Sequence, residues 1–159
     1  MTQPAIRLAV RAIIVKDNRL LLVNAYGPNV ASDLWCAPGG GVELHSSLPE
    51  NLAREVFEET GLQVNVGRVA MVNEFHATGR PFHQVEMFFR CEITAGTLDD
   101  GWQDPENIVT RRRFFSRSEL DQLHLRPKSL PRIAFDPHAP VVYDPLEELV
   151  PPNRPTKTN

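Results

Sequence analysis

Cysteine is scarce in this chain and badly placed for metal chemistry. Its two cysteines, Cys36 and Cys91, show no Cys-x-x-Cys spacing, so neither a thiolate zinc cluster nor a disulfide framework is open to it. Each sits in an apolar stretch and is expected to be a buried, reduced thiol. Long hydrophobic runs are also missing: none approaches the roughly 20 apolar residues of a membrane span. The start, MTQPAIRLAV, lacks the charged, apolar, then small-residue layout of a secretory signal, which makes a cytoplasmic location the expectation. Basic charge is not in surplus either. With 17 Lys and Arg against 20 Asp and Glu, the formal net charge is -3. General binding to nucleic acid or to an anionic membrane needs clustered Lys and Arg, so it is not expected. Any phosphate-bearing ligand needs a local solution, such as a bound cation. The five histidines, His45, His76, His83, His124 and His138, share no metal-ligand spacing and read as surface or loop residues, although His76 and His83 flank one predicted loop.

What the chain does have is enough apolar sequence for one core, 42% of its 159 residues, and no internal repeat. Ile6 to Val15 is aliphatic and β-branched, ends at Lys16-Asp17-Asn18, and is followed by the similar Arg19 to Asn24, which predicts a β-hairpin. Tyr26 to Asp33 reads as a loop before a short strand at Leu34–Ala37, and Pro38-Gly39-Gly40-Gly41 then permits a sharp turn and close approach to a ligand. Val64–Ala77 and His83–Ile93 predict two longer strands joined by the loop Thr78–Pro81. An acidic loop, Leu98–Asn107, precedes a strand at Ile108–Phe115 and a serine-capped helix at Ser116–Leu123. Eight of the 14 prolines fall after Leu125. Residues 1–125 therefore read as the domain, and 126–159 as a proline-rich tail that wraps the surface or is partly disordered.

The best-defined element is a helix from Leu48 to Thr60. Leu52, Ala53, Val56 and Phe57 share a face, Ser47-Leu48-Pro49-Glu50 has the form of a capping box, and Gly61 supplies a stop. Glu55, Glu58 and Glu59 stand at i, i+3 and i+4, which gathers their carboxylates beside the apolar face. Like charges so spaced oppose helix formation by about 0.2–0.5 kcal/mol per pair. A hard dication such as Mg²⁺ or Mn²⁺ reverses that sign, because it prefers oxygen ligands. Arg54 can pair with Glu58 at i+4. A solvated charged face is the other reading of such a run taken alone.

The flanking residues add a pattern. Gly40 to Leu62 (GGVELHSSLPENLAREVFEETGL) resembles the Nudix box, G-x5-E-x7-R-E-U-x-E-E-x-G-U with U aliphatic, matching at Gly40, Arg54, Glu55, Val56, Glu58, Glu59, Gly61 and Leu62. More loosely the resemblance runs from about Leu8 to Leu120, including WCAPGGG at Trp35–Gly41 and Arg113-Phe114-Phe115 with Glu119-Leu120. It implies an α+β fold, an α/β/α sandwich around a mixed, mostly antiparallel sheet. It also implies a metal-dependent hydrolase that cleaves a nucleoside diphosphate linked to another moiety, X, with Mg²⁺ or Mn²⁺ as cofactor. Glu55, Glu58 and Glu59, with the Gly39 carbonyl, are then the metal ligands; Glu58 and Glu59 are the candidates for the base, with Arg54 orienting them. A carboxylate from Asp99–Glu106 is a further candidate for the base or a supporting role. One position departs: Ser46 stands where the box has its first glutamate. Glu43, three residues earlier, is a substitute, although it also belongs to the usual G-G-G-V-E run. The departure motivates an alternative, a nucleotide-binding or regulatory module with weak or no turnover.

Gly40 and Gly41 are candidates for backbone contact with the substrate, and Tyr26, Phe75, Phe82 and Trp102 for stacking on a nucleobase, with core packing as the competing role of each aromatic. Arg111-Arg112-Arg113 is either a solvated or a phosphate-facing edge, with Arg112 opposite its neighbours. The expected partner is a small nucleotide-type substrate, with a homodimer as an assembly the tail can join.

Overall fold

Aliphatic runs near the N-terminus have no polar side to offer solvent, and the structure buries both of their faces. A computed structural model describes residues 4–152. Its elements are β1 (Arg7–Ile13), β2 (Val15–Lys16), β3 (Arg19–Asn24), β4 (Trp35–Cys36), β5 (Gly39–Gly41), α1 (Leu48–Thr60), β6 (Gln63–Ala77), β7 (Phe82–Ala95), β8 (Arg112–Ser116), α2 (Arg117–Leu120), α3 (Leu130–Ala134) and β9 (Val142–Glu148). Val10, Ala12, Ile14 and Leu21 face one core with Leu52 and Val56 of α1. Ile13, Leu20 and Leu22 face the other, with Leu120 of α2 and Leu130 and Ile133 of α3. Successive strand residues point to opposite faces, so a strand between two helical layers carries apolar residues at both parities where it meets them. The layered α+β arrangement implied by the resemblance follows from that.

Two sheets form the middle layer. One has the order β5-β1-β7-β6-β9, and in the other β3 is flanked by β2, β4 and β8. Five strand pairings are antiparallel, while β1 with β7 and β6 with β9 are parallel. The predicted N-terminal hairpin is only partly formed. Val15 and Lys16 pair with Leu20 and Arg19 around Asp17 and Asn18, both at positive φ (50° and 58°), as a two-residue turn of that hand requires. β1 instead leaves for the other sheet, where β5 and β7 satisfy both of its edges. A strand with both faces buried gains more from an interior position than from a two-stranded ribbon.

The strand β8, paired with β3, begins later than its β-branched sequence suggests. Residues 108–111 are taken from the sheet ladder by side-chain acceptors. Asp104 Oδ2 accepts the amides of Ile108 and Val109, and Asn24 Oδ1 those of Thr110 and Arg111.

Beyond Leu125 the structure continues the domain where the sequence suggests a surface tail. Leu130 and Ile133 are 0% and 1% exposed, and β9 adds a parallel edge strand to β6. Prolines are tolerated here because they stand in the first turn of α3, on an edge strand, or between elements. Residues 153–159 of the expected tail lie outside the described residues. No helix among the described residues is long and apolar enough to cross a membrane.

Candidate active site

The site is built where β5 meets α1. Gly39 has φ 148°, and a Cβ there would lie 1.9 Å from the Val10 carbonyl oxygen, so only glycine lets β5 lie this close to β1. At Gly40 a Cβ would meet Glu55 Cδ at 2.9 Å, which brings the turn against the carboxylates of the helix. The helix entry is fixed by both halves of the capping box: Glu50 N donates to Ser47 Oγ, and Ser47 N to the Glu50 carboxylate. Asn51, 1% exposed, fixes the preceding loop. Its Oδ1 accepts from Glu43 N at 2.9 Å, and its Nδ2 donates to the carbonyls of Ser46 and Ser47 at 3.1 and 2.9 Å.

Glu55 and Glu59 face a cavity of about 260 Å³ whose wall also includes Arg7, Arg11, Glu43, Asp104, Glu106 and the Gly39–Gly41 turn. Glu59 accepts a hydrogen bond from Gly39 N at 3.0 Å. Burial pushes its carboxyl up to about 8, with Glu55 and Asp104 adding to the rise and Arg11 and the Gly39 amide opposing it. Glu55 is also raised, chiefly by burial, with Glu58 and Glu106 contributing. Glu58 does not line this cavity. At about 100° per residue it stands off the line joining Glu55 and Glu59, and it meets Arg54 Nη1 at 3.4 Å. The same Arg54 nitrogen reaches Glu55 at 3.4 Å and Glu43 at 3.6 Å. Three glutamates on one spot are therefore not what the helix presents, and among the described residues no three His, Cys, Asp or Glu side chains are grouped to hold a metal.

Several supports carry no motif. Arg11 Nε pairs with Glu86 at 3.0 Å and its Nη1 donates to the carbonyls of Ala37 and Gly39. The signal for both is a lone charge in an apolar strand, Arg11 in AVRAII and Glu86 in VEMFF. Arg112 is buried and closes the end of α1, which has no basic residue in its last turn. Its guanidinium donates to the carbonyls of Glu59, Trp102 and Val109 at 2.8, 3.2 and 3.0 Å. It is thus neither solvated nor phosphate-facing. Arg111 stacks over Trp35, and Arg113 pairs with Glu119.

Of the aromatic candidates, Tyr26 and Phe75 line a second pocket of about 270 Å³, as does Phe82. It adjoins the first and shares Arg7, Arg11, Ala25 and Cys36 with it. Trp102 is placed differently. Its Nε1 donates to the Glu58 carbonyl at 2.8 Å, and its ring meets Phe57 edge-on and covers Gly61. It packs the back of α1 against Phe57, which is 42% exposed and lies outside the core that Leu52 and Val56 enter. His76 and His83 line neither cavity. Ser46 is exposed and outside the carboxylate cavity. Asp104 accepts amides of its own loop with both oxygens, whereas Glu106 is exposed at the cavity wall.

A family profile described as the NUDIX domain matches residues 5–135. The ADP-ribose pyrophosphatase of Methanocaldococcus jannaschii is 30% identical over 137 residues, covering 86% of this chain and 71% of that protein. YjhB of Bacillus subtilis is 30% identical over 123 residues, 76% of this chain, and the chain spans 55% of that relative's length. A solved UDP-X diphosphatase superposes with a TM-score of 0.67 at 25% identity, covering 92% of this chain and 70% of the other.

Proposed function

Because the chain belongs to the NUDIX family, we propose that it is a metal-dependent pyrophosphohydrolase that cleaves a nucleoside diphosphate linked to another moiety. ADP-ribose is the first substrate to consider, since the Methanocaldococcus relative is named for it. The observation that carries this reading is the cavity in which Glu55 and Glu59 meet the glycine turn and two arginines. That combination offers oxygen ligands to a cation and hydrogen-bond donors to phosphate in the same place.

The donor set fits a hard dication. Burial raises both Glu55 and Glu59, so their negative charge is costly until a cation shares it. Glu55 and Glu59, with the Gly39 carbonyl, are the residues that would hold Mg²⁺ or Mn²⁺, while Glu58 stands off the cavity against Arg54. When bound, such a cation neutralises diphosphate charge and acidifies a coordinated water. The protein's own contribution is positional. Arg11 holds the Gly39 carbonyl and Glu86, Arg54 restrains three carboxylates, and Arg7 stands where the two pockets join. Phosphoryl transfer depends mainly on such placement and charge. Glu106, exposed at the cavity wall, is the carboxylate we propose as proton acceptor, because Glu58 lies off the cavity, Glu59 is held by the Gly39 amide and Asp104 by its loop. We also infer that Glu43, within 3.6 Å of Arg54, takes the place of the glutamate that Ser46 replaces.

The test is hydrolysis of ADP-ribose, nucleotide sugars, nucleoside triphosphates and dinucleoside polyphosphates with Mg²⁺, with Mn²⁺ and with chelator. Cleavage of at least one compound, lost with chelator and in Glu59→Gln, is expected. Tight binding of one compound with no cleavage of any would instead favour a binding module, the reading that Ser46 motivates.

A further inference from the structure

The second pocket has a charge pattern that hydrolysis of a neutral conjugate does not use. Arg7, Arg11, Arg80 and Arg126 line it, in a chain of net charge -3. Its lining, among the described residues, contains one acid, Glu86, and that carboxylate is already engaged by Arg11 at 3.0 Å and by Gln84 at 2.8 Å. Arg126 has, among the described residues, one ion pair, at 3.9 Å to Glu147. Among the described residues Arg7 and Arg80 form no ion pair, and the Arg80 guanidinium lies over the Phe82 ring, 4.6 Å from its centroid. Four arginines with two acidic partners leave a surplus of positive charge in a concave site, and a bound anion would supply the missing counter-charge.

The scissile diphosphate does not account for all of it. Arg7 and Arg11 stand at the junction with the carboxylate cavity, within reach of a diphosphate, but Arg80 and Arg126 line the second pocket and not the first. We propose that this pocket seats a moiety carrying a phosphomonoester of its own, so that the preferred substrates are phosphorylated away from the bond that is cleaved. The proposal rests on the hydrolase reading above for its substrate class. A phosphomonoester brings nearly two negative charges and three acceptor oxygens, and arginine meets it with paired N–H donors. A neutral sugar would leave Arg80 without a counter-charge and Arg126 with its long pair to Glu147.

The experiment compares substrates that differ by one phosphomonoester at either end: ADP-ribose 1″-phosphate against ADP-ribose, and coenzyme A against 3′-dephospho-coenzyme A. In at least one pair the phosphorylated member should have the higher kcat/KM, by about tenfold or more at low salt, with the preference shrinking as salt is raised. The Arg80→Gln, Arg126→Gln double variant should bring that ratio close to one. Equal or lower kcat/KM for the phosphorylated member of both pairs overturns the proposal, as does a preference that survives in the double variant. Binding of ribose 1,5-bisphosphate against ribose 5-phosphate, and of adenosine 3′,5′-bisphosphate against AMP, is read by calorimetry in parallel. If nothing is hydrolysed but a bisphosphate binds tenfold tighter in an arginine-dependent way, the hydrolase reading fails and the anion pocket stands. If no bisphosphate is preferred, the pocket proposal fails whatever the enzyme cleaves.

Discussion

Glu59 accepts a hydrogen bond from the backbone amide of Gly39 at 3.0 Å, across 20 residues of chain. The bond ties α1 to the glycine turn, and it aims a buried carboxylate at the cavity wall. Glu59→Gln should therefore lower kcat by at least about 10²-fold, the range for removal of a positioned acid–base or charge-stabilising group. Steady-state kinetics beside unchanged circular dichroism checks it.

The same residue sets a pH dependence. Burial raises the Glu59 carboxyl from an ordinary 4.5 to about 8, so the folded protein binds this proton more tightly than the unfolded chain does. Stability from the protonated form is fully present below about pH 4.5 and is lost as pH rises through about 8. The melting temperature of metal-free protein should fall across that window, and Glu59→Gln should flatten the fall. Thermal scans in chelator from pH 5 to 9 measure it; a flat wild-type profile would contradict the assignment.

Gly40→Ala places a Cβ 2.9 Å from Glu55 Cδ, and that carboxylate must move. The fold should survive, because the obstacle is a side chain, while kcat falls about 10²-fold through misplacement. At Gly39 the obstacle is the Val10 carbonyl at 1.9 Å, so Gly39→Ala should also lower the urea midpoint.

Glu43 and Ser46 can be separated by a cycle. If Glu43 supplies the missing carboxylate beside Arg54, Glu43→Gln should reduce kcat several-fold, about 1 kcal/mol of barrier for an exposed charge pair. Ser46→Glu should then restore the rate in the Glu43→Gln background more than it raises it in wild type. Additive effects would show that the two positions act independently.

Leu130 is fully buried against the core formed with Met71, Phe88 and Leu125. Leu130→Ala should cost about 2–5 kcal/mol, and truncation after Leu125 should yield a chain without a cooperative transition. Chemical denaturation of both tests whether the domain ends at residue 125 or continues.

Local chemistry was legible from the chain alone. The capping box of Ser47 and Glu50, the spacing of Glu55, Glu58 and Glu59, and the stop at Gly61, observed at φ 74°, are all settled within a few residues along one helix. Relationships across the fold were not. Arg11 and Glu86 are 75 residues apart and meet because β1 and β7 pair in parallel. Arg112 reaches the end of α1 from 53 residues away, and Trp102 lies on that helix rather than on a base. The proline-rich segment looked like a tail because composition does not reveal that Leu130 and Ile133 complete one face of the sheet.

What the sequence determined by itself was the carboxylate helix, its ends and the glycine turn before it, since capping, periodicity and positive φ are short-range requirements. Only tertiary structure decided which carboxylates face the cavity, which arginines surround the second pocket and which aromatics merely pack. Those outcomes depend on strand partners distant in sequence, and hydrophobic burial chooses such partners without leaving a local code.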